Sequence, residues 1–105
     1  MSLKVIYKEE DNGFVGLSYE PFLQKTIMHL EFKKWSVQEC KRYKQIWKVI
    51  LKCLKDKGFT EIYSLCDSEK EAKFNRFFGF KDTGYKAQTD KGTKLLYKLE
   101  LYYET

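Results

Sequence analysis

The sequence is poor in proline and in segments of biased composition. Pro21 is the single proline in 105 residues, and no low-complexity tract occurs. Hydrophobic residues make up 43% of the chain and charged residues 33%, a balance that excludes a disordered chain. Because this length falls in the range of one domain, the sequence predicts a single domain over residues 1–105 with one hydrophobic core.

Long hydrophobic runs and paired cysteines are also lacking. No apolar stretch approaches the roughly 20 residues of a membrane span, and the segment from Met1 to Lys8 lacks the apolar run of a signal peptide. Cys40, Cys53 and Cys66 lie 13 residues apart and are odd in number, which fits neither a zinc clip nor a redox pair. The sequence therefore predicts a cytoplasmic protein with no metal and no membrane partner.

The charge is positive, with 20 basic and 15 acidic residues and a net charge of +5. Many of the lysines lie between Lys33 and Lys57, a segment that also carries Tyr43 and Trp47. This pattern admits nucleic acid or another polyanion as a partner. The alternative interpretation is a helix face that the lysines keep solvated.

Three strands are predicted in the first third of the chain. The segments from Leu3 to Lys8 and from Phe14 to Tyr19 are rich in β-branched and aromatic residues, and the Asn-Gly pair between them favours a hairpin turn. The segment from Thr26 to Phe32 alternates between two faces. One face carries Met28, Leu30 and Phe32, and the other carries Ile27, His29 and Glu31.

A long helix is predicted next. Ser36 and Glu39 form a capping box, Trp35 occupies the hydrophobic-staple position, and Gly58 lies where a left-handed helix end is favoured. Apolar residues recur at three- and four-residue steps, which predicts one face packed on a sheet. These residues are Val37, Cys40, Tyr43, Trp47, Ile50, Leu51 and Leu54.

The rest of the chain predicts one more strand–helix step and a closing hairpin. Phe59 to Cys66 is typical of a buried strand, and Ser68 with Glu71 forms a second capping box before a short helix that ends ahead of Gly79. The last two strands are predicted at Phe80–Gln88 and Thr93–Leu101. The whole order is β-β-β-α-β-α-β-β, an α/β chain of the α+β type with a mixed sheet.

This order and two local segments resemble the core of the GNAT (Gcn5-related N-acetyltransferase) superfamily. The segment from Ser68 to Phe80 is similar to the family's short helix with an aromatic pair and a Gly-Phe end, and Lys55 to Phe59 is similar to the end of its long helix. The family's first strand and first two helices have no counterpart, which implies a shortened acceptor site. Short members of this kind occur in bacteriophage genomes.

The resemblance implies transfer of an acetyl group from acetyl-CoA to an amine acceptor. Either Glu31 or His29 would be the base, since the family often places one on this strand; the alternative is that both form the polar side of a half-covered strand. The residues implied in cofactor binding are Ser36, Gln38, Lys41, Arg42, Ser68 and Asn75.

Three features depart from the family pattern. The family binds pyrophosphate through a glycine-containing loop at the start of the long helix, whereas no glycine occurs in the 41 positions between Gly16 and Gly58. Asn75 replaces the usual tyrosine acid and Ser68 replaces an asparagine. A second hypothesis is therefore a non-catalytic module that binds a protein or polyanionic partner. Separately, Tyr102 and Tyr103, just beyond the last predicted strand, are candidates for an exposed contact in a homodimer.

Overall fold

The computed structural model describes residues 3–101 and contains six strands and two helices in the predicted order. Together they form a mixed α+β fold. The strands are β1 (Lys4–Glu9), β2 (Gly13–Glu20), β3 (Lys25–Phe32), β4 (Glu61–Cys66), β5 (Lys81–Thr89) and β6 (Gly92–Glu100). The helices are α1 (Val37–Asp56) and α2 (Glu69–Phe77).

All six strands belong to one sheet with the order β1-β2-β3-β4-β6-β5. Neighbouring strands are antiparallel except β3 and β4, whose parallel ladder is limited to Ile27 opposite Tyr63. Because these two strands run in the same direction, α1 and α2 both begin at one edge of the sheet. The candidate site residues that follow β3 and β4 lie along this edge.

The ends of both helices show why two predicted strands begin too early. After α1, the Gly58 amide donates to the Lys55 carbonyl and the Phe59 amide to the Leu54 carbonyl, with Gly58 at φ +93°, which is a Schellman ending. After α2, the Phe80 amide donates to the Asn75 carbonyl in the same way. Because Phe59 and Phe80 complete helix caps, β4 begins at Glu61 and β5 at Lys81.

The start of α1 differs from its prediction in two respects. Ser36 caps the helix, but the Glu39 carboxylate bonds to Arg42, so only one half of the capping box forms. Val37, predicted to face the sheet, is 74% exposed, because at the first turn its side chain lies on the outer side of the helix. The sheet-facing stripe begins one turn later.

Both helices pack on the same face of the sheet. α1 contributes Tyr43, Trp47, Ile50 and Leu54, which the sequence predicted. The predicted faces of β3 are also confirmed, since Met28, Leu30 and Phe32 join this core while Ile27 lies on the opposite side. The remaining buried residues of the main core are Val15, Ile62, Cys66, Ala72, Phe78, Phe80, Tyr97, Leu99 and Leu101.

The opposite face of the sheet, here the uncovered face, has a smaller apolar cluster of Ile27, Tyr63 and Leu96. Neither helix of the described chain packs on it. The two outer strands of the sheet are irregular, because the pairing register shifts between Val5 and Tyr7 in β1 and between Asp82 and Lys86 in β5. Over residues 3–101, neither helix has the length and apolarity needed to span a membrane.

Candidate functional site

The first turn of α1 is where the resemblance implies a cofactor site. Ser36 Oγ accepts a hydrogen bond from the Glu39 amide at 3.1 Å, so one of the free amides of this helix end already has a partner. The side chains of Gln38 and Lys41 are exposed nearby. An anion here would meet the remaining helix amides and the Lys41 charge.

Arg42, the strongest phosphate ligand implied, is held by two carboxylates of its own chain. Its guanidinium forms ion pairs with Glu9 of β1 and Glu39 of α1. Hydrogen bonds from Arg42 lower the pKa of the Glu9 carboxyl to about 2, and its bonds to Glu9, and then to Glu39, raise the pKa of Arg42. A phosphate at Arg42 would compete with these carboxylates for a guanidinium whose charge they already balance.

Replacing Glu9 by glutamine is expected to reduce the loss of stability in acid. The Glu9 pKa is about 2 in the fold against 4.5 for a free carboxyl, so its contribution is present above pH 4.5 and is lost as the pH falls from 4.5 to about 2. Urea unfolding at neutral pH and in this acidic window measures the effect. Glu10→Gln at the exposed neighbouring position is the control, and an equal acid response of the Glu9→Gln protein and the native protein would contradict the assignment.

Asn12 connects the β1–β2 turn to the start of α1. It is 3% exposed, and its amide nitrogen donates to Glu9 Oε1 at 2.6 Å and to Tyr43 Oη at 2.9 Å. Its Oδ1 accepts from the backbone amides of Lys33 and Lys34 at 3.1 and 2.9 Å. The buried side chain of Asn12 therefore holds the loop between β3 and α1 against the β1–β2 turn.

Trp35 lies between the start of α1 and helix α2. Its ring centroid is 5.1 Å from those of Tyr43 and Phe74 and 5.6 Å from that of Phe77, all edge-to-face, and its Nε1 donates to the Phe32 carbonyl at 2.9 Å. Trp35 therefore packs on Tyr43 of α1 and on two aromatic rings of α2. It bridges the start of α1 and α2, with 43% of its surface exposed.

His29 lies on the uncovered face, with Nε2 at 2.8 Å from Ser18 Oγ. Burial, and then the charge of Lys94, lower the pKa of His29 below 6.5. The imidazole is consequently neutral at neutral pH and can accept a proton. Its hydrogen bond to Ser18 is a partner that the sequence interpretation did not include.

Glu31 is exposed and lies opposite Phe14 of β2. It lines a cleft of about 420 Å³ beside the β1–β2 turn together with Lys8 and Lys33. Residues two apart on a strand are about 7 Å apart, and within residues 3–101 no hydrogen bond joins Glu31 to His29. The two candidate bases therefore face different surroundings.

The remaining implied cofactor ligands lie on α2. Ser68 caps the helix, and its Oγ accepts from the Glu71 amide at 3.2 Å. Asn75 is buried, and its side chain hydrogen-bonds to the Cys66 thiol, whose pKa is raised by burial and by the charge of Glu71. Cys66 is therefore a protonated core residue rather than a nucleophile, and Asn75 is directed into the core.

One face of α1 carries five lysines. Lys41, Lys44, Lys48, Lys52 and Lys55 fall within an arc of about 80° and along about 21 Å of helix. We call this set the lysine face. The first four are exposed and take part in no ion pair with any described residue. The lysines of the predicted basic helix therefore form one continuous cationic surface.

Comparison with known proteins adds no further identification. No protein-family model matches the chain, and neither a curated protein nor a solved structure matches it.

Some of these residues had no signal in the sequence. Glu39 and Arg42 are three apart on a helix, a spacing typical of an ion pair, but the third member, Glu9, is 33 residues away from Arg42.

Tyr102 and Tyr103 lie outside the described residues. Within residues 3–101 no group of histidine, cysteine, aspartate and glutamate side chains is arranged to hold a metal ion.

Proposed function

We propose that this chain is a GNAT-like module that works without catalysis, by binding an acidic protein. The GNAT part of the proposal is supported by the element order β-β-β-α-β-α-β-β and by the segment from Ser68 to Phe80. In that segment the short helix ends at Phe77 and is followed by Gly79 with an aromatic residue on each side of the glycine, as the resemblance implies.

Three features support the absence of catalysis. Trp35 packs between α1 and α2, and Arg42 is paired with two carboxylates. Asn75, in place of the family's tyrosine acid, is buried and bonded to a thiol. An amide cannot protonate a departing thiolate, so the acid step of the family's reaction has no group at that position.

The lysine face carries the binding part of the proposal. Its exposed ammonium groups repel one another across neighbouring helical turns. A surface of carboxylates would relieve this repulsion and would steer the encounter over distances of about a Debye length, about 8 Å at physiological salt. The lysine face therefore fits a partner of opposite charge.

Two observations favour a protein over a nucleic acid. The chain has only two arginines, the residue best suited to bidentate phosphate contacts, and both Arg42 and Arg76 are paired with carboxylates. The outer side of α1 also exposes Val37 (74%) and Val49 (63%), which gain more from contact with another protein than from a sugar–phosphate backbone.

The same proposal locates the protein in the cytoplasm, where its three free cysteines stay reduced. A short GNAT-like module of this kind suits an accessory protein of bacteriophage type. Its partner would then be an acidic protein of the host.

The test measures binding of a poly-glutamate peptide by calorimetry. The protein is expected to bind it with an affinity that falls steeply as salt rises. The combined substitution Lys44→Gln, Lys48→Gln and Lys52→Gln is expected to weaken binding about tenfold, because three cationic contacts of roughly 0.5 kcal/mol each are removed.

The matched control is Lys70→Gln, Lys86→Gln and Lys91→Gln, which removes the same charge from exposed positions away from α1. It is expected to weaken binding by less than about twofold. Much tighter binding of a DNA duplex than of the peptide would show that the lysine face prefers nucleic acid to an acidic protein. Equal loss in both triple variants would show that net charge alone, rather than the lysine face, causes the binding.

A GNAT-like acyltransferase is the second candidate. The observation in its favour is His29, whose lowered pKa leaves a neutral base on the uncovered face. Saturable binding of acetyl-CoA in the same calorimeter, with CoA and ATP as controls, would support this candidate over the first. Acetylation of an amine acceptor that is lost with His29→Gln or Glu31→Gln would identify the base.

A further inference from the structure

A second cleft, of about 500 Å³, lies on the uncovered face at the irregular part of β5. We call it the β5 cleft. Between Asp82 and Lys86 the chain advances four residues along β5, while the paired positions on β6 advance only two. Two extra residues of β5 therefore lie outside the ladder of paired residues and form a bulge. Its lining includes Lys25, Tyr63, Lys81, Tyr85, Leu96 and Lys98.

The bulge that forms the wall of the β5 cleft is held by its own side chains. Thr83 Oγ1 donates to the Leu96 carbonyl at 2.8 Å and accepts from the Tyr85 amide at 3.1 Å. Asp82 Oδ1 accepts from the Gly84 amide at 2.9 Å, and Gly84 has φ +81°, which favours glycine. The cleft is therefore preformed, and a ligand need not order it.

The floor of the β5 cleft is apolar and one wall is an aromatic ring. Tyr63 and Leu96 form the floor and are each 7% exposed. The bulge places Tyr85 at the rim with 73% of its surface exposed, so most of its ring is available to a ligand. A flat ring inserted here would contact the Tyr85 ring and the floor at once.

The lysines of the β5 cleft differ in whether a carboxylate compensates their charge. Lys98 lies 3.0 Å from Glu61 and 3.4 Å from Glu100, so its charge is compensated. Lys25 has its ammonium 4.3 Å from the Tyr63 ring centroid, and neither Lys25 nor Lys81 forms an ion pair with any residue in the described range. Of the two carboxylates in the lining, Asp82 accepts a hydrogen bond from the Gly84 amide, and Glu100 forms an ion pair with Lys98.

Lys25 and Lys81 stand at opposite sides of the cleft. They start β3 and β5, which are separated by three strand spacings, about 14 Å. A molecule that bridges part of this distance meets an ammonium group at one end and the rings of Tyr63 and Tyr85 beside it. The volume is in the range of small-molecule sites, about 300 to 1,000 Å³.

We propose that the β5 cleft binds a small anion with a planar aromatic group, of the size of a nucleoside monophosphate. The anionic group pairs with Lys81 or Lys25, and the ring stacks on Tyr85. This site uses none of the residues of α1, so it is independent of the function proposed above.

The probes are adenosine monophosphate, adenosine and ribose 5-phosphate, titrated into the whole protein and followed by calorimetry and by amide chemical shifts. Adenosine monophosphate is expected to bind about tenfold or more tightly than either fragment, since adenosine lacks the charge and ribose 5-phosphate lacks the ring. The shifts are expected to concentrate in β5 and β6.

Tyr85→Ala and Lys81→Gln are each expected to weaken this binding about fivefold to tenfold. Both side chains are exposed, so the fold should be retained. Lys91→Gln in the β5–β6 turn and the triple substitution on the lysine face are expected to leave it unchanged. Equal affinities for adenosine monophosphate and ribose 5-phosphate, unchanged binding in Tyr85→Ala, or no binding at millimolar concentration would overturn the proposal.

Discussion

Replacing Asn12 by alanine is expected to lower the free energy of unfolding by about 3 kcal/mol. The substitution removes four side-chain hydrogen bonds at a buried position. It leaves the Lys34 amide without its acceptor and removes the donor that Tyr43 and Glu9 share. Chemical denaturation followed by circular dichroism measures the change.

Asn75→Ala is the matched control for this prediction. Asn75 is buried to a similar degree and its side chain hydrogen-bonds to the Cys66 thiol, a weaker acceptor than the oxygen partners of Asn12. Alanine is also a better helix former than asparagine in α2. The expected cost is about 1 kcal/mol. Equal costs for the two substitutions would mean that the Asn12 hydrogen bonds contribute little beyond the filling of space.

Gly13→Ala is expected to cost about 3 kcal/mol or more, because the new methyl group has no room. A Cβ at Gly13 would lie 1.7 Å from the Glu31 carbonyl oxygen and 2.9 Å from the Phe32 Cα. Both atoms belong to the backbone of β3, so β2 and β3 would have to separate at their paired ends. Thermal and urea unfolding, with amide shifts around Glu31, measure the effect.

Gly16→Ala provides the contrast on the same strand. The nearest atom to a Cβ at Gly16 is Leu3 Cδ1 at 2.9 Å, the end of an exposed side chain that can rotate away. We expect a cost below about 1 kcal/mol. If Gly16→Ala were as costly as Gly13→Ala, loss of glycine from a strand, rather than the clash with β3, would be the cause.

Element order, helix caps and the faces of β3 could be predicted because their signals are local. Ser36, Ser68 and Gly58 act within a few residues of their own positions, and hydrophobic periodicity follows from the geometry of one element. The errors at Phe59 and Phe80 arise where two local signals compete, since an aromatic residue after glycine suits both a strand start and a Schellman cap.

The candidate site was less predictable because its decisive contacts are distant in sequence. Asn12 reaches Lys33 and Lys34, and Glu9 reaches Arg42, across 21 to 33 residues. Nothing in the spacing of these residues indicates that they meet. The β5 cleft also escaped prediction, since the bulge at Thr83–Tyr85 interrupts a segment whose composition is that of an ordinary strand.

The register shifts in β1 and β5 affect how the sheet meets other chains. Each outer strand offers backbone groups to a further strand only in short stretches on either side of its shift. A regular incoming strand cannot pair with such an edge along its whole length. The irregular outer strands therefore oppose the edge-to-edge association of sheets from different chains into fibrils, although one face of the sheet is uncovered.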